Sequence, residues 1–284
     1  MKLDFKGPQT LQFIKDSLDE DVKDGDHSSL ASIPQGTQGK AKLIFKENGI
    51  AAGIELAQSI LHHVDPELKL DIKINDGQEV KVGDIGFYVQ GSVHSILVSE
   101  RLLLNCMQRL SGIATTTKRI VDMVKHTNTT ILDTRKTTPG LRFLEKWAVL
   151  VGGGANHRIG LYDMIMLKDN HNDYAGGITK AVKATHQYLK EHNLDLKIEV
   201  ETRNLDEVRE TLAVGGVDRI MLDNFEPHTI VEAIKIIDGQ CETEASGGIT
   251  PANVVAYAET GVDFISIGAL THSIKSLDIS LKEY

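Results

Sequence analysis

Residues 133–171, DTRKTTPGLRFLEKWAVLVGGGANHRIGLYDMIMLKDNH, concentrate the groups that could do chemistry. Arg135, Lys136, Arg142, Lys146, Arg158 and Lys168 stand there with His157 and His171, against only Asp133, Glu145, Asp163 and Asp169. The whole chain has a formal net charge of −9. A cationic island in an acidic chain suits a small, multiply charged anion. The plainer alternative is a solvated basic face, the usual fate of a charge run. The apolar runs Ile131-Leu132, Ala148 to Val151 and Met164 to Leu167 lead into or separate the cations. Buried strands look this way when they deliver charged groups at their ends, which favours a site.

The elements that must position these groups begin near residue 111. Apolar strand candidates at 129–135, 164–169, 196–201, 219–224, 241–247 and 264–269 alternate with amphipathic stretches such as ITKAVKATHQYL and TIVEAIKII. This alternation predicts parallel strands with crossover helices, closing or nearly closing a barrel. A doubly wound sheet would call for a dinucleotide fingerprint. Gly152-Gly153-Gly154 is followed by His157 where a third Gly is needed, and no Walker lysine pattern occurs.

In a barrel the chemistry lies at the C-terminal strand ends. The first end offers Thr134, Arg135 and Lys136, and the second Lys168 with Asp169 and Asn170. The third offers Glu201 and the fourth Asp223 with Asn224. The last two offer the small turns Ser246-Gly247-Gly248 and Gly268-Ala269, each expected to lead into a helix start whose free amides could hold a phosphate. Alternation puts Glu199 on the face of Glu201, one layer deeper. A buried carboxylate needs a cation, and Lys168 and Lys136 are the candidates, so ion pairing across the barrel mouth is expected. Taken singly, Ser-Gly-Gly is a plain turn, Asp-Asn a helix cap and Lys168 a structural partner. Together they favour a ligand with several negative charges, including a phosphate. A phosphorylated ribose with a pyrophosphate leaving group fits, because nearby carboxylates stabilise an oxocarbenium-like C1. Lys168, at the end of an apolar strand, leaves open a Schiff-base lyase. A non-catalytic sensor of a phosphosugar or dicarboxylate is also open.

Upstream, residues 9–20 and 53–63 read as helices, and 38–46 as a strand followed by an Asn48-Gly49 turn. Short segments with an Asp76-Gly77 turn suggest an antiparallel or mixed sheet. The expected organisation is an α+β domain over 1–110, with the tail 271–284 packing back on it, and a barrel over 111–270. The acidic patch EDVKDGDHSS fails as a calcium loop, because Lys23 stands where an oxygen ligand belongs. Residues 95–110 read as one apolar helix carrying Arg101 and Arg109, each needing a partner or an outlet to solvent. An acidic balance argues against a general nucleic-acid binder. The N-terminus has no apolar signal region and no apolar run is long enough to span a membrane. Cys106 and Cys241 fit no zinc or redox spacing. The expected setting is a reduced cytoplasm.

The segments ERLLLN (100–105), QRLSGIAT (108–115), DTRKTTPGLR (133–142), GGGANHRIGLYDMIMLKDNH (152–171), IEVE (198–201), MLDNF (221–225), EASGGI (244–249) and ISIGAL (265–270) closely resemble the quinolinate phosphoribosyltransferase family. These are the carboxylating nicotinate-nucleotide pyrophosphorylases of NAD synthesis. The resemblance covers nearly the whole chain. It implies an N-terminal α+β sandwich domain and an incomplete, open α/β barrel of about six parallel strands. It implies a pentosyltransferase reaction of quinolinate with phosphoribosyl pyrophosphate, giving nicotinate mononucleotide, pyrophosphate and carbon dioxide. Thr134, Arg135, Lys136, His157, Arg158 and Lys168 would surround the dicarboxylate. Glu201 and Asp223 would hold ribose hydroxyls and bias charge at C1, with Lys136 and Lys168 as the catalytic cations beside them. Ser246, Gly247, Gly248, Ile267, Gly268 and Ala269 would hold the phosphate end. Magnesium would bind mainly through the pyrophosphate, with Glu201 and Asp223 assisting directly or through water. A homodimer, or a higher oligomer built on it, would donate Arg101 across the interface to the partner's quinolinate.

Overall fold

The computed structural model describes residues 3–284. They fall into two compact units. One holds residues up to Lys118 with Phe143–Gly153 and Ile274–Tyr284, and the other holds Arg119–Arg142 and Gly154–Ser273.

The first unit starts with α1 (Pro8–Asp21) and α2 (His27–Ser32). The polar stretch expected as a loop therefore contains a short helix, capped by the Asp26 carboxylate accepting from the Ser28 and Ser29 amides. Strand β1 (Gln38–Phe45), β2 (Gly49–Ile50), α3 (Ile54–Val64), β3 (Lys69–Ile72), β4 (Glu79–Val80) and β5 (Ile85–Ser92) follow. The main sheet has the order β12-β1-β5-β3, all antiparallel. Its last member, β12 (Ile279–Glu283), comes from the chain's tail and pairs Phe45 with Ile279. Leu43, Phe45, Phe87 and Val89 are wholly buried on one face by strand alternation.

Helix α4 (Val93–Val124) is twice as long as its apolar core at 95–110 suggests. Leu103, Met107, Leu110, Ile113, Ala114 and Thr117 continue one buried stripe through it, so a boundary at 110 falls mid-helix. The run Ala148 to Val151, expected as a strand, is the last turn of α5 (Arg142–Val151). Good helix formers such as Leu, Glu, Lys and Ala outweigh the β-branched pair there. Gly153, at φ +86°, lies just beyond its end. Phe143 meets Phe13 edge-on at 6.0 Å, and Glu145 takes the guanidinium of Arg109 at 2.6 Å. That pair answers the question of Arg109's partner. Lys146 is buried in the same helix, so this member of the cationic island belongs to packing.

The second unit contains β6 (Thr130–Leu132), β7 (Ile165–Leu167), α6 (Asp169–Ala175), α7 (Ile178–His192), β8 (Ile198–Thr202), α8 (Leu205–Val214), β9 (Arg219–Asp223), α9 (Pro227–Ile237), β10 (Glu242–Ser246), α10 (Val254–Ala258), β11 (Phe264–Ser266) and α11 (Ala269–His272). The six strands form one parallel sheet ordered β6-β11-β10-β9-β8-β7. The last strand pairs with the first, while β6 and β7 do not pair. This is a barrel with one open seam. Ala155 lies in that seam, bridged in parallel to Leu132.

Packing fixes which strand face looks inward. Leu167, Ile198 and Val200 cluster with Ile178, Ala181 and Val182 of α7, so this face is the outside. Alternation then turns Glu199 and Glu201 into the barrel. Among the described residues no helix is long and apolar enough to cross a membrane.

Candidate active site

A cavity of about 790 Å³ opens at the C-terminal ends of the barrel strands. Its walls include Thr134, Arg135, Lys136, His157, Arg158, Lys168, Glu201, Asp223, Ser246, Gly247, Gly248, Ile267, Gly268 and Ala269. Every residue expected to touch substrate, Arg101 apart, is therefore brought to one place. Arg101 is not part of these walls; it is exposed on α4 in the other unit. Asp169 and Asn170 turn into α6 instead of the cavity. Asn224, expected beside Asp223, also lines the cavity, and Met166, Met221, Ile249, Thr250, Ser266 and His272, which were not foreseen, complete it. Met166 and Met221 were readable, since each lies two residues before a named strand-end residue.

The sheet order arranges the charges around the rim. Arg135 and Lys136 follow β6, His157 and Arg158 lie just past the seam residue Ala155, and Lys168 follows β7. Glu201 and Asp223 come next on β8 and β9, and the two small turns close the circle on β10 and β11. Cations thus flank the seam, with carboxylates and then backbone amides continuing the ring. Lys168 Nζ stands 3.4 Å from Glu201 Oε2, the ion pair expected across the mouth. Burial raises the Asp223 carboxyl above its usual range, countered by Lys168 and by the Asn224 side-chain amide, which donates at 2.6 Å.

Arg135 and Arg158 form the basic wall. Arg135 Nε is buried without a hydrogen-bond acceptor, a costly state for a guanidinium and one an anionic ligand would relieve. Burial, and then the adjacent Arg135, lower the pKa of Arg158. Two like charges side by side are stable only with anions near. The loops bearing them are tightly tied. Asp133, wholly buried, accepts from the His157 amide at 3.0 Å and the Asn156 side chain at 2.5 Å. Asp163 accepts from the amides of Ile159 (2.7 Å) and Gly160 (2.8 Å).

Glu199 finds its partner elsewhere than expected. Neither lysine reaches it; His157 Nε2 lies 2.9 Å from its Oε2 and 3.5 Å from Glu244 Oε2. Arg219 closes the group from below, with Nη1 2.9 Å from Glu244 and Nη2 2.9 Å from Glu242. The two glutamates are wholly buried, and burial pushes both carboxyls up to about 7, with Glu199 a further cause at Glu244. The His157, Glu199 and Glu244 ligand-type atoms lie within 4.8 Å of one another, as in a metal site. The tautomer argues otherwise. His157 Nδ1 accepts from the Arg158 amide at 2.7 Å, so the neutral ring carries its proton on Nε2 and has no lone pair to give there. Both ring nitrogens have close protein neighbours, so His157 braces the cavity that it also lines.

The turns on the acidic side's far flank differ from each other. Gly247, at φ +93°, holds its backbone against the Asn224 side chain, where a Cβ would collide. Helix α10 starts only at Val254, because Pro251 disfavours helix at Thr250 and delays it. The turn after β10 therefore offers loop amides and not a helix start, whereas Gly268 is the N-cap of α11.

This arrangement can bind a dicarboxylate at the seam, a sugar between the carboxylates, and a phosphate at the small turns. Two family models match the chain: "Quinolinate phosphoribosyl transferase, N-terminal domain" over residues 26–111 and "Quinolinate phosphoribosyl transferase, C-terminal domain" over 113–282. The quinolinate phosphoribosyltransferase [decarboxylating] 1b of Nicotiana tabacum is 49% identical over 284 residues, covering 95% of this chain and 81% of that one. The chloroplastic nicotinate-nucleotide pyrophosphorylase [carboxylating] of Arabidopsis thaliana is equally similar, at 49% with the same coverage. The crystal structure of NadC from Streptococcus pyogenes superposes with TM-score 0.93 at 38% identity, covering 100% of both chains.

Proposed function

The chain belongs to the quinolinate phosphoribosyltransferase family, and on that premise we propose that it transfers phosphoribosyl from phosphoribosyl pyrophosphate to quinolinate. Decarboxylation accompanies the transfer, giving nicotinate mononucleotide, pyrophosphate and carbon dioxide for NAD synthesis. The observation that carries this reading is the rim order: cations at the seam, then two carboxylates, then two small turns, all on one cavity.

Arg135 and Arg158 grip the two ring carboxylates, for which the guanidinium fork is shaped. The buried, unpartnered Arg135 Nε supports that placement. Lys168 and Lys136 complete the positive wall and steady the pyrophosphate oxygens. The Ser246–Gly248 and Ile267–Ala269 turns hold the 5′-phosphate. Glu201 and Asp223 bind ribose hydroxyls and stabilise positive charge at C1 as pyrophosphate departs. The pyridine nitrogen attacks C1 from the seam side. Its positive charge then stabilises the carbanion left when the adjacent carboxylate leaves as carbon dioxide, and that carbanion takes a proton from water. The protein supplies orientation and field, with no covalent nucleophile.

Magnesium fits this site only as a ligand shared with substrate. Outside the buried His157 trio, no group of three ligand-type side chains is found among the described residues. Glu201 and Asp223 would give one oxygen each, directly or through water, and pyrophosphate oxygens would supply the rest. Bound there, the ion would offset the charge of the leaving group that Glu201 and Asp223 face.

A homodimer that presents Arg101 to the partner's cavity is also proposed, supported by its exposure on α4 and its absence from the walls of its own cavity.

The test is direct. Purified protein with quinolinate, phosphoribosyl pyrophosphate and magnesium should release pyrophosphate and carbon dioxide together. Nicotinate in place of quinolinate should give far less pyrophosphate. Pyrophosphate release with nicotinate at an equal rate would overturn the reading, as would no release with either.

A further inference from the structure

Arg142 stands behind the basic wall and is not part of the cavity lining. Its guanidinium makes three hydrogen bonds. Nε donates to Thr137 Oγ1 at 3.0 Å, Nη1 to the Ile159 carbonyl at 3.1 Å, and Nη2 to the Arg135 carbonyl at 3.4 Å. Two of these acceptors lie on the loop after β6, which carries Thr134, Arg135 and Lys136. The third lies on the loop that carries His157 and Arg158.

These two loops have a particular need of a tie. Elsewhere around the barrel, neighbouring strand ends are held in register by the ladder between them. Here the sheet is open, because β6 does not pair with β7, and the ladder bonds stop at the Ala155 bridge. The loop after β6 then runs without regular structure from Asp133 to Leu141. Arg135 and Arg158, the like charges on the two loops, repel each other. An acidic clamp would cancel the field that attracts the substrate. A guanidinium that donates to two carbonyls and a hydroxyl joins the loops without removing positive charge. Its planar fork fixes the acceptors in one geometry, which a lysine ammonium does not. The second loop is rigid on its own account, since Asp163 holds the Ile159 amide on the other side of the same residue.

We propose that Arg142 is a positioning residue that sets the spacing between Arg135 and Arg158, and through it the affinity for a substrate with two adjacent carboxylates. The inference rests on the quinolinate reading of the cavity, and its effect is largest at that end of the site. Most of the phosphoribosyl end hangs on β8 to β11, which Arg142 does not touch; Lys136 alone shares the tied loop, and Thr271 holds its carbonyl independently.

Arg142→Lys and Arg142→Gln in the full chain provide the test. In both, KM for quinolinate should rise about tenfold or more, the scale for misplacing a binding group by a fraction of an ångström. KM for phosphoribosyl pyrophosphate and kcat should change far less, through Lys136 alone. Thr137→Val, which removes one acceptor and keeps the charge, should shift quinolinate KM the same way by less. If Arg142→Lys restores quinolinate KM to near wild type, charge alone is at work and the proposal fails. An equal rise in both KM values makes Arg142 a general fold residue and also overturns it. Hydrogen–deuterium exchange gives a reading independent of turnover. Without ligand, Arg142→Gln should speed exchange in peptides covering 134–141 and leave 157–161, whose amides are held by Asp133, His157 and Asp163, unchanged along with β8 and β9. Unchanged exchange in 134–141 sinks the clamp even if the enzyme acts on quinolinate. Faster exchange with no quinolinate turnover in wild type would sink the function and leave the clamp standing.

Discussion

Glu199 meets His157, not a lysine: its Oε2 lies 2.9 Å from the imidazole Nε2, below the floor of the cavity. The imidazole's other nitrogen accepts the Arg158 amide, so one ring joins the buried carboxylates to the backbone of the basic wall. Glu244 and Arg219 extend the chain of contacts to the bottom of the barrel. Four polar groups are thereby placed in a region that most barrels fill with branched apolar side chains. Buried networks of this kind hold a geometry firmly when satisfied and cost stability when a charge is left over.

That cost should show in the pH dependence of stability. The Glu244 carboxyl titrates at about 7 in the folded chain, against an ordinary 4.5. The folded state therefore keeps a proton that the unfolded state has already lost between those values. Bound protons favour folding there, so stability falls as pH rises from about 4.5 to 7 and levels off above. Glu244→Gln removes one of two coupled carboxyls. Its Tm should fall clearly less than wild type between pH 5 and pH 8. Parallel Tm curves for the two proteins across that window would show that Glu244 does not hold that proton.

Arg135→Ala should weaken quinolinate binding by at least about 2 kcal/mol, the scale for truncating one side of a buried charge pair. The expectation follows from its buried Nε, which has no acceptor within the protein. Removing it also relieves Arg158 of its like-charged neighbour, so overall stability should hold or improve. Calorimetry of quinolinate binding and a thermal melt read the two effects separately. Unchanged affinity would remove Arg135 from the dicarboxylate end.

Much of this was legible from the chain alone, for physical reasons that also mark where it stops. Strand ends carry polar residues after apolar runs, so Lys168, Glu201 and Asp223 announce themselves. Period-two alternation turns Glu199 inward once Glu201 is placed there. The partner of Glu199 was not legible, because it depends on which loop fills the seam, and seam filling is a property of sheet order. Arg219 and Glu244 carried a usable signal. Each is a charge in phase with a rim residue of the same strand, Asp223 and Ser246. Two such charges of opposite sign on consecutive strands imply a pair. The run Ala148 to Val151 misled because four apolar residues fit a strand or a buried helix turn equally, and only Gly152-Gly153 after it hints at a helix end. Arg142 read as one more cation, since hydrogen bonds to carbonyls leave no trace in residue types.

Gly247→Ala should act on the phosphoribosyl end alone. The residue sits at φ +93°, where an L side chain is strained, and a Cβ there would strike Asn224. Strain of about 1–3 kcal/mol is expected from the backbone alone. The neighbouring Asn224 amide bonds the Ser246 carbonyl at 2.8 Å and its side chain donates to Asp223, so the push would travel to a ribose-binding carboxylate. KM for phosphoribosyl pyrophosphate should rise and quinolinate affinity should not. A variant with both constants unchanged would mean that the Ser246–Gly248 turn does not hold the phosphate.

The proposed donation of Arg101 across a dimer can be tested by complementation. Arg101→Ala should lose quinolinate affinity although the residue is absent from the walls of its own cavity. Glu201→Gln should lose turnover by weakening charge stabilisation at C1. In a two-fold dimer each cavity needs Arg101 from one chain and Glu201 from the other. A mixed dimer of the two variants then contains one cavity with both defects and one with neither. Random mixing yields such dimers for half the population, so activity should recover to about a quarter of wild type at equal total protein. If both residues serve the same chain's cavity, every cavity in the mixture stays defective in one of them and no recovery occurs. Recovery after co-expression, lost when either variant is made alone, would place Arg101 in the partner's site; activity equal to the average of the two parents would return it to its own surface.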